Sequence, residues 1–83
     1  MTLTIDGHVS VIEESRGKTL WVAYVLKDSP WKIILRGDEA EQSLREVMAG
    51  NHVVASGSTV KYEDGVFKLF ATCCMRFTDT VNS

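Results

Sequence analysis

The side chains best suited to chemistry in this sequence are aromatic rings and cations, and they occupy the same two segments. All seven aromatic residues lie within residues 18–36 or residues 59–78. The first segment carries four cations and one carboxylate, a net charge of +3, and the second carries three cations and two carboxylates, a net charge of +1. Aromatic faces stack on planar rings and cations attract anions, so this pairing is the most informative feature of the sequence.

The remaining segments are acidic, and they lower the average charge of the chain. Residues 1–17 have a net charge of −2 and residues 37–50 a net charge of −3. The whole chain has 9 basic and 11 acidic side chains, a formal net charge of −2. That average alone argues against a strongly basic nucleic-acid binder.

Residues that commonly ligate metals or act as nucleophiles show no motif. His8, His52, Cys73 and Cys74 have suitable atoms, but their spacing matches no common zinc site. Adjacent residues on a strand point to opposite faces, so we expect Cys73 in the core and Cys74 on the other face. The sequence has no glycine-rich phosphate loop and places no nucleophile beside a histidine. We expect no catalytic residues, no metal site, no cofactor and no enzyme activity.

Composition predicts one ordinary globular domain over residues 1–83. Hydrophobic residues make up 45% of the chain and charged residues 24%. The apolar runs are too short for a membrane-spanning helix, and the N-terminal residues lack a signal-peptide pattern. Two cysteines cannot build a disulfide framework, so a cytoplasmic location is expected.

Alternation of apolar and polar residues predicts three strands before a helix, at 3–12, 19–27 and 31–36. Gly7 predicts a bulge or a sharp bend in the first strand. The second strand is apolar on both parities, so the pattern leaves open whether Trp21 or Tyr24 faces outward. Trp31 follows a proline and suits either a ligand site or a plug at one end of the structure.

A helix is predicted at about 38–49. Asp38 is placed to cap it, Glu41 completes a capping box, and Gly50 is placed to end it. Acidic residues in its first turn are explained by the helix dipole. Further strands are predicted at 53–56, 59–62 and 66–77, with a hairpin turn at 63–65 and a flexible end at about 79–83.

This order resembles the OB-fold, a five-stranded Greek-key barrel with a helix between strands three and four. The resemblance rests on Gly7-His8-Val9-Ser10-Val11 in the first strand and on the apolar second and third strands. It rests further on the stretch from Gly50 to Gly57, which is similar to the G-x-x-V-x-V-x-G pattern of many OB-folds, and on the hairpin from Asp64 to Ala71. The resemblance implies an all-β barrel with one short helix.

The resemblance also implies where a ligand would bind, because OB-folds commonly hold oligonucleotides across strands two and three between two loops. Those regions here are the two basic, aromatic segments. The expected function is non-catalytic binding of single-stranded nucleic acid, with DNA preferred and RNA open, similar to small single-stranded DNA-binding proteins of bacteria, phages or mobile elements. The expected binding residues are Lys18, Trp21, Trp31, Lys32, Arg36, Lys61, Tyr62 and Lys68.

A protein-interaction or assembly module is the competing interpretation, and the mild negative charge favours it. Strict alternation in the last strand places Phe70 on one face with Lys68 and Arg76. That face suits a stacking position or self-association, so Phe70 and Arg76 are candidates for a homodimer contact.

Overall fold

A computed structural model describes residues 1–77, which form five β-strands and one α-helix. The elements are β1 (Leu3–Arg16), β2 (Leu20–Leu26), β3 (Trp31–Arg36), α1 (Gly37–Leu44), β4 (His52–Glu63) and β5 (Val66–Arg76). The flexible end predicted at about 79–83 lies outside the described residues. None of the helical structure in residues 1–77 has the length and apolar character that a bilayer-spanning helix needs.

The strands close into a barrel in the order β1-β2-β3-β5-β4, and pairing of β1 with β4 completes the ring. The β3–β5 pair is parallel and every other pair is antiparallel. The helix follows β3 and precedes β4 in sequence. Strand order and helix position are those of an OB-like fold, which confirms the predicted fold class.

The barrel interior is filled by apolar side chains from all five strands and from the helix segment. Even-numbered and odd-numbered side chains of β2 face opposite sides of the barrel wall, since Tyr24 is fully buried while Trp21 is 37% exposed. Trp21 is therefore the residue that faces outward, which settles the alternative that the pattern left open. The buried hydrophobic residues are Val9, Val22, Tyr24, Leu26, Ile33, Leu35, Ala40, Val47, Val53, Ala55 and Leu69.

The long strand β1 serves two neighbours. Residues 3–8 pair with β4 and residues 9–16 pair with β2. The irregularity lies between Val9 and Val11, where β1 passes from one partner to the other. Gly7 itself pairs regularly with Val53, so the irregularity of β1 begins two residues after the position at which a bulge or bend is predicted.

The helix is shorter than predicted and begins differently. Helix α1 ends at Leu44, and turns and irregular chain lead from there to β4. Its N-cap position is Arg36, no side chain caps it, and Asp38 lies inside the first turn. The chain passes from β3 into α1 through Gly37 at φ +64°, a conformation that favours glycine, so the predicted Asp38 capping box is wrong.

Bulges in β4 and β5 change which residues of β5 face the core. Gly57 pairs with Ala71 and Ser56 pairs with Cys73, so Thr72 has no opposite residue. Side-chain alternation therefore shifts by one position after Ala71. Cys73 is exposed and Cys74 packs against the core, the reverse of the prediction.

Candidate functional site

The outward face of β2, β3, β5 and β4 presents three rows of side chains that run across the strands. We call Lys32, Lys68 and Lys61 the lysine row, since they are register partners on β3, β5 and β4. Two residues along each strand lies the middle row, which consists of Ala23, Ile34, Phe70 and Thr59. Two residues further, Trp21 pairs with Arg36 to form the tryptophan row.

An open groove of about 590 Å³ lies over these rows. Trp21 and Phe70 supply aromatic surface, and Arg36 and Lys61 supply positive charge. The residues that line the groove are Trp21, Ile34, Arg36, Glu39, Thr59, Lys61, Phe70, Ala71 and Thr72. The groove therefore joins aromatic, apolar and cationic side chains from β2, β3, β4 and β5.

Trp21 and Arg36 form a direct contact at one side of the groove. The guanidinium carbon of Arg36 lies 5.7 Å from the centroid of the Trp21 ring, within the range of a cation–π interaction. Among residues 1–77, neither Arg36 nor Lys61 forms an ion pair. Within residues 1–77 neither cation is held by a carboxylate, so both can contact an anionic ligand, and Arg36 helps to hold the Trp21 ring in place.

Two members of the lysine row are paired with carboxylates. Lys32 Nζ lies 3.4 Å from Glu13 Oε1, and Lys68 Nζ donates a hydrogen bond of 2.8 Å to Glu63 Oε1. This hydrogen bond lowers the pKa of Glu63 and raises the pKa of Lys68. The two pairs reduce the positive charge of the row when no ligand is bound.

Five of the eight predicted binding residues do not line the groove: Lys18, Trp31, Lys32, Tyr62 and Lys68. Trp31 stacks on Phe67 with ring centroids 4.9 Å apart, and Tyr62 packs on the other side of this pair, 4.6 Å from Phe67. Trp31 also packs against the core, so the alternative of a plug at the barrel end fits its position. Lys18 lies exposed at the tip of the β1–β2 hairpin.

The two candidates for self-association do not share a surface. Phe70 lies in the groove, whereas Arg76 lines a separate cleft with Arg45, Glu46 and Met48. The bulge at Thr72 explains the separation, since it places Arg76 on the opposite parity from Phe70. The shared face that strict alternation predicts for these residues is therefore wrong.

The histidines and cysteines are placed apart from the groove. His8 and His52 stack at 4.7 Å, and His52 Nε2 lies 2.7 Å from Asp6 Oδ2. Burial raises the pKa of the Cys74 thiol to about 11, which keeps it protonated at neutral pH. In the part of the chain that the structure describes, no three His, Cys, Asp or Glu side chains converge as metal ligands.

Several residues that line the groove are not predicted from the sequence: Ile34, Glu39, Thr59, Ala71 and Thr72. The sequence explains the charge of Glu39 by the helix dipole alone, because the residue pattern does not show how α1 lies against β5. Phe70 could be placed near Lys68 from alternation, but its position relative to Trp21 depends on the parallel β3–β5 register.

Comparison with known protein families gives no match, and comparison with curated proteins gives none either. The function therefore has to be argued from the groove itself.

Proposed function

We propose that the protein binds single-stranded nucleic acid, without catalysis, in the groove over the three rows. The observation that carries the proposal is the meeting of Trp21, Phe70, Arg36 and Lys61 in one open groove of about 590 Å³. Sequence-tolerant binders of single strands combine a cationic groove with aromatic faces on which bases stack. DNA is the first ligand to test, with RNA of the same sequence beside it.

Each part of the groove has a role in this proposal. Trp21 and Phe70 stack on bases, and Ile34 supplies apolar surface between them. Arg36 and Lys61 contact phosphates. Lys32 and Lys68 also contact phosphates once their ion pairs with Glu13 and Glu63 break. The stacking requires bases that are free on one face, which a single strand offers and a duplex does not.

The proposal is tested by titrating a fluorescently labelled oligo-dT with the protein and measuring anisotropy at low salt. Trp21→Ala and Phe70→Ala are each expected to weaken binding about 5- to 150-fold, because a stacked base contributes about 1–3 kcal/mol. Phe77→Ala removes an exposed aromatic ring elsewhere and is the matched control. Circular dichroism of each variant establishes that the fold is retained.

Arg36→Gln and Lys61→Gln are expected to weaken binding and to reduce its dependence on salt. Arg45→Gln removes an equal charge outside the groove and should leave the affinity near that of the wild type. Absence of binding to oligo-dT and to oligo-U at low salt would refute the proposal. If the groove variants and their controls change the affinity equally, the groove is not the binding site.

A protein-interaction role is the second candidate, and one exposed face favours it. On the outer side of β4 and the end of β5, Met75 is 61% exposed and Phe77 is 50% exposed. The ring of His52 lies 4.8 Å from that of Phe77 and stacks on His8. Exposed apolar surface of this kind commonly marks a protein contact. Analytical ultracentrifugation of the wild type and of Met75→Glu tests self-association through this face. If both proteins sediment as monomers, self-association there is excluded.

A further inference from the structure

Glu39 is the sole carboxylate among the described residues that line the groove. It lies in the first turn of α1 and is exposed, and within residues 1–77 it forms no ion pair. Thr72 lines the groove beside it, and both residues also line the neighbouring cleft between α1 and β5. That cleft contains Glu46 as well, so the helix side of the groove is acidic.

This distribution of charge orients a bound strand. The lysine row lies four residues along the strands from the tryptophan row, a distance of about 13 Å. Phosphates are attracted to Lys61 and Arg36 and are repelled by Glu39 on the helix side of the groove. In a strand held by these two cations, the bases lie over Ile34 and Phe70 with their outer edges toward Glu39 and Thr72.

We infer that Glu39 accepts hydrogen bonds from the edge of a base and gives the groove a preference for guanine. This inference rests on the proposed function. A carboxylate only accepts hydrogen bonds, and guanine presents two adjacent donors, N1–H and the 2-amino group. Thymine presents one N–H between two carbonyl oxygens, and these oxygens repel the carboxylate because both groups are hydrogen-bond acceptors. Adenine and cytosine present an amino group next to an unprotonated ring nitrogen.

The test compares three oligonucleotides on the full chain: oligo-dT, oligo-dT with isolated guanines, and the same strand with inosine in place of guanine. Inosine keeps N1–H and lacks the 2-amino group, so it isolates the bidentate contact. The guanine strand is expected to bind at least about fivefold more tightly than the other two, as a good bidentate contact to a base does. Glu39→Gln is expected to remove that preference. Glu41→Gln makes the same charge change on α1 outside the groove and should keep the preference.

The outcomes separate this inference from the proposed function. Equal binding of all three strands by the wild type overturns the guanine preference while single-strand binding stands. A preference that survives Glu39→Gln overturns the assignment to Glu39. Absence of binding to every strand overturns the proposed function and this inference together.

Discussion

Trp21 and Tyr24 lie on the same strand, and their opposite orientations create two separate features of the molecule. Trp21 faces outward and forms one side of the groove, in contact with Arg36. Tyr24 faces inward, and its hydroxyl lies 2.6 Å from that of Ser43 on α1. Burial raises the pKa of the Tyr24 hydroxyl, although the hydrogen bond with Ser43 opposes this effect. One strand thus supplies both an exposed aromatic ring and an anchor for the helix.

The charge available for binding depends on carboxylates as well as on lysines. Glu63→Gln removes the partner of Lys68 and is expected to tighten binding to oligo-dT about two- to fivefold at low salt, since exposed ion pairs are weak. Glu41→Gln gives the same net charge and lies outside the groove. Anisotropy titration compares the two variants. Equal affinities for both would show that Lys68 does not contact the ligand.

The sequence predicts Arg36 on the outer face of the third strand and Lys61 near the second loop, and a role in binding stays a prediction for both. Both residues line the groove. Trp31 does not, because aromatic type and strand position do not reveal that its ring stacks on Phe67. The predicted orientations of Cys73 and Cys74 are the reverse of those observed. A bulge shifts the side-chain alternation by one residue, and no residue type in the sequence indicates this bulge.

At the scale of elements, the hydrogen bond between Tyr24 and Ser43 holds α1 on the barrel. Ser43→Ala leaves the Tyr24 hydroxyl buried without this partner and is expected to lower the free energy of unfolding by about 1–3 kcal/mol. Urea denaturation measures the change. Tyr24→Phe in the Ser43→Ala background removes the unsatisfied hydroxyl and should restore part of the stability. A double variant that is no more stable than Ser43→Ala would contradict this account.

The bulge at Gly57 sets the register that brings Phe70 opposite Thr59. A Cβ atom at position 57 would collide with the backbone oxygen of Phe70. Gly57→Ala is therefore expected to lower the free energy of unfolding by about 1–3 kcal/mol, as overpacking does, and to weaken oligonucleotide binding. Gly17→Ala is the matched control, because its Cβ would meet no atom within 4 Å. Thermal denaturation in which both variants behave alike would show that the close approach is unimportant.

The order of the strands and the helix is predictable from the sequence, but the start of the helix and the bulge within β4 are not. Period-two alternation and the turn at Asp64-Gly65 gave the strands and the last hairpin their correct order. The start of α1 was misplaced, because Asp38 followed by Glu41 resembles a capping box while the chain turns at Gly37. The long strand β4 was divided in two, because Gly57-Ser58 resembles a turn and forms a bulge instead.

At the scale of the whole molecule, a net charge of −2 conceals an uneven surface. Lys32, Lys61 and Lys68 lie in one row on neighbouring strands, although the sequence separates them by up to 36 positions. Acidic side chains lie on the helix, at its clefts and as partners of two of these lysines. The average charge therefore does not show where on the surface the cations lie.

Under the proposed function, the modest positive charge of the groove limits how steeply binding depends on salt. Two to four phosphate contacts, from Arg36 and Lys61 alone or with Lys32 and Lys68, predict a slope of log affinity against log salt of about −1.4 to −2.8. Anisotropy titrations of oligo-dT from low to physiological salt measure it. A slope near zero would contradict phosphate contact, and a slope steeper than about −5 would require cations outside the groove.

The two tryptophans permit the most direct test of the central claim, that bases stack in the groove on Trp21. The residues are five positions apart across the β2–β3 register, since Trp21 pairs with Arg36 at the far end of β3 from Trp31. Trp31→Phe leaves Trp21 as the single tryptophan, and Trp21→Phe leaves Trp31. Each variant is titrated with oligo-dT while its emission and the anisotropy of the labelled strand are followed together. Base stacking on Trp21 predicts saturable quenching of Trp21 and unchanged emission of Trp31 at equal occupancy. Quenching of Trp31 with Trp21 unaffected would contradict it.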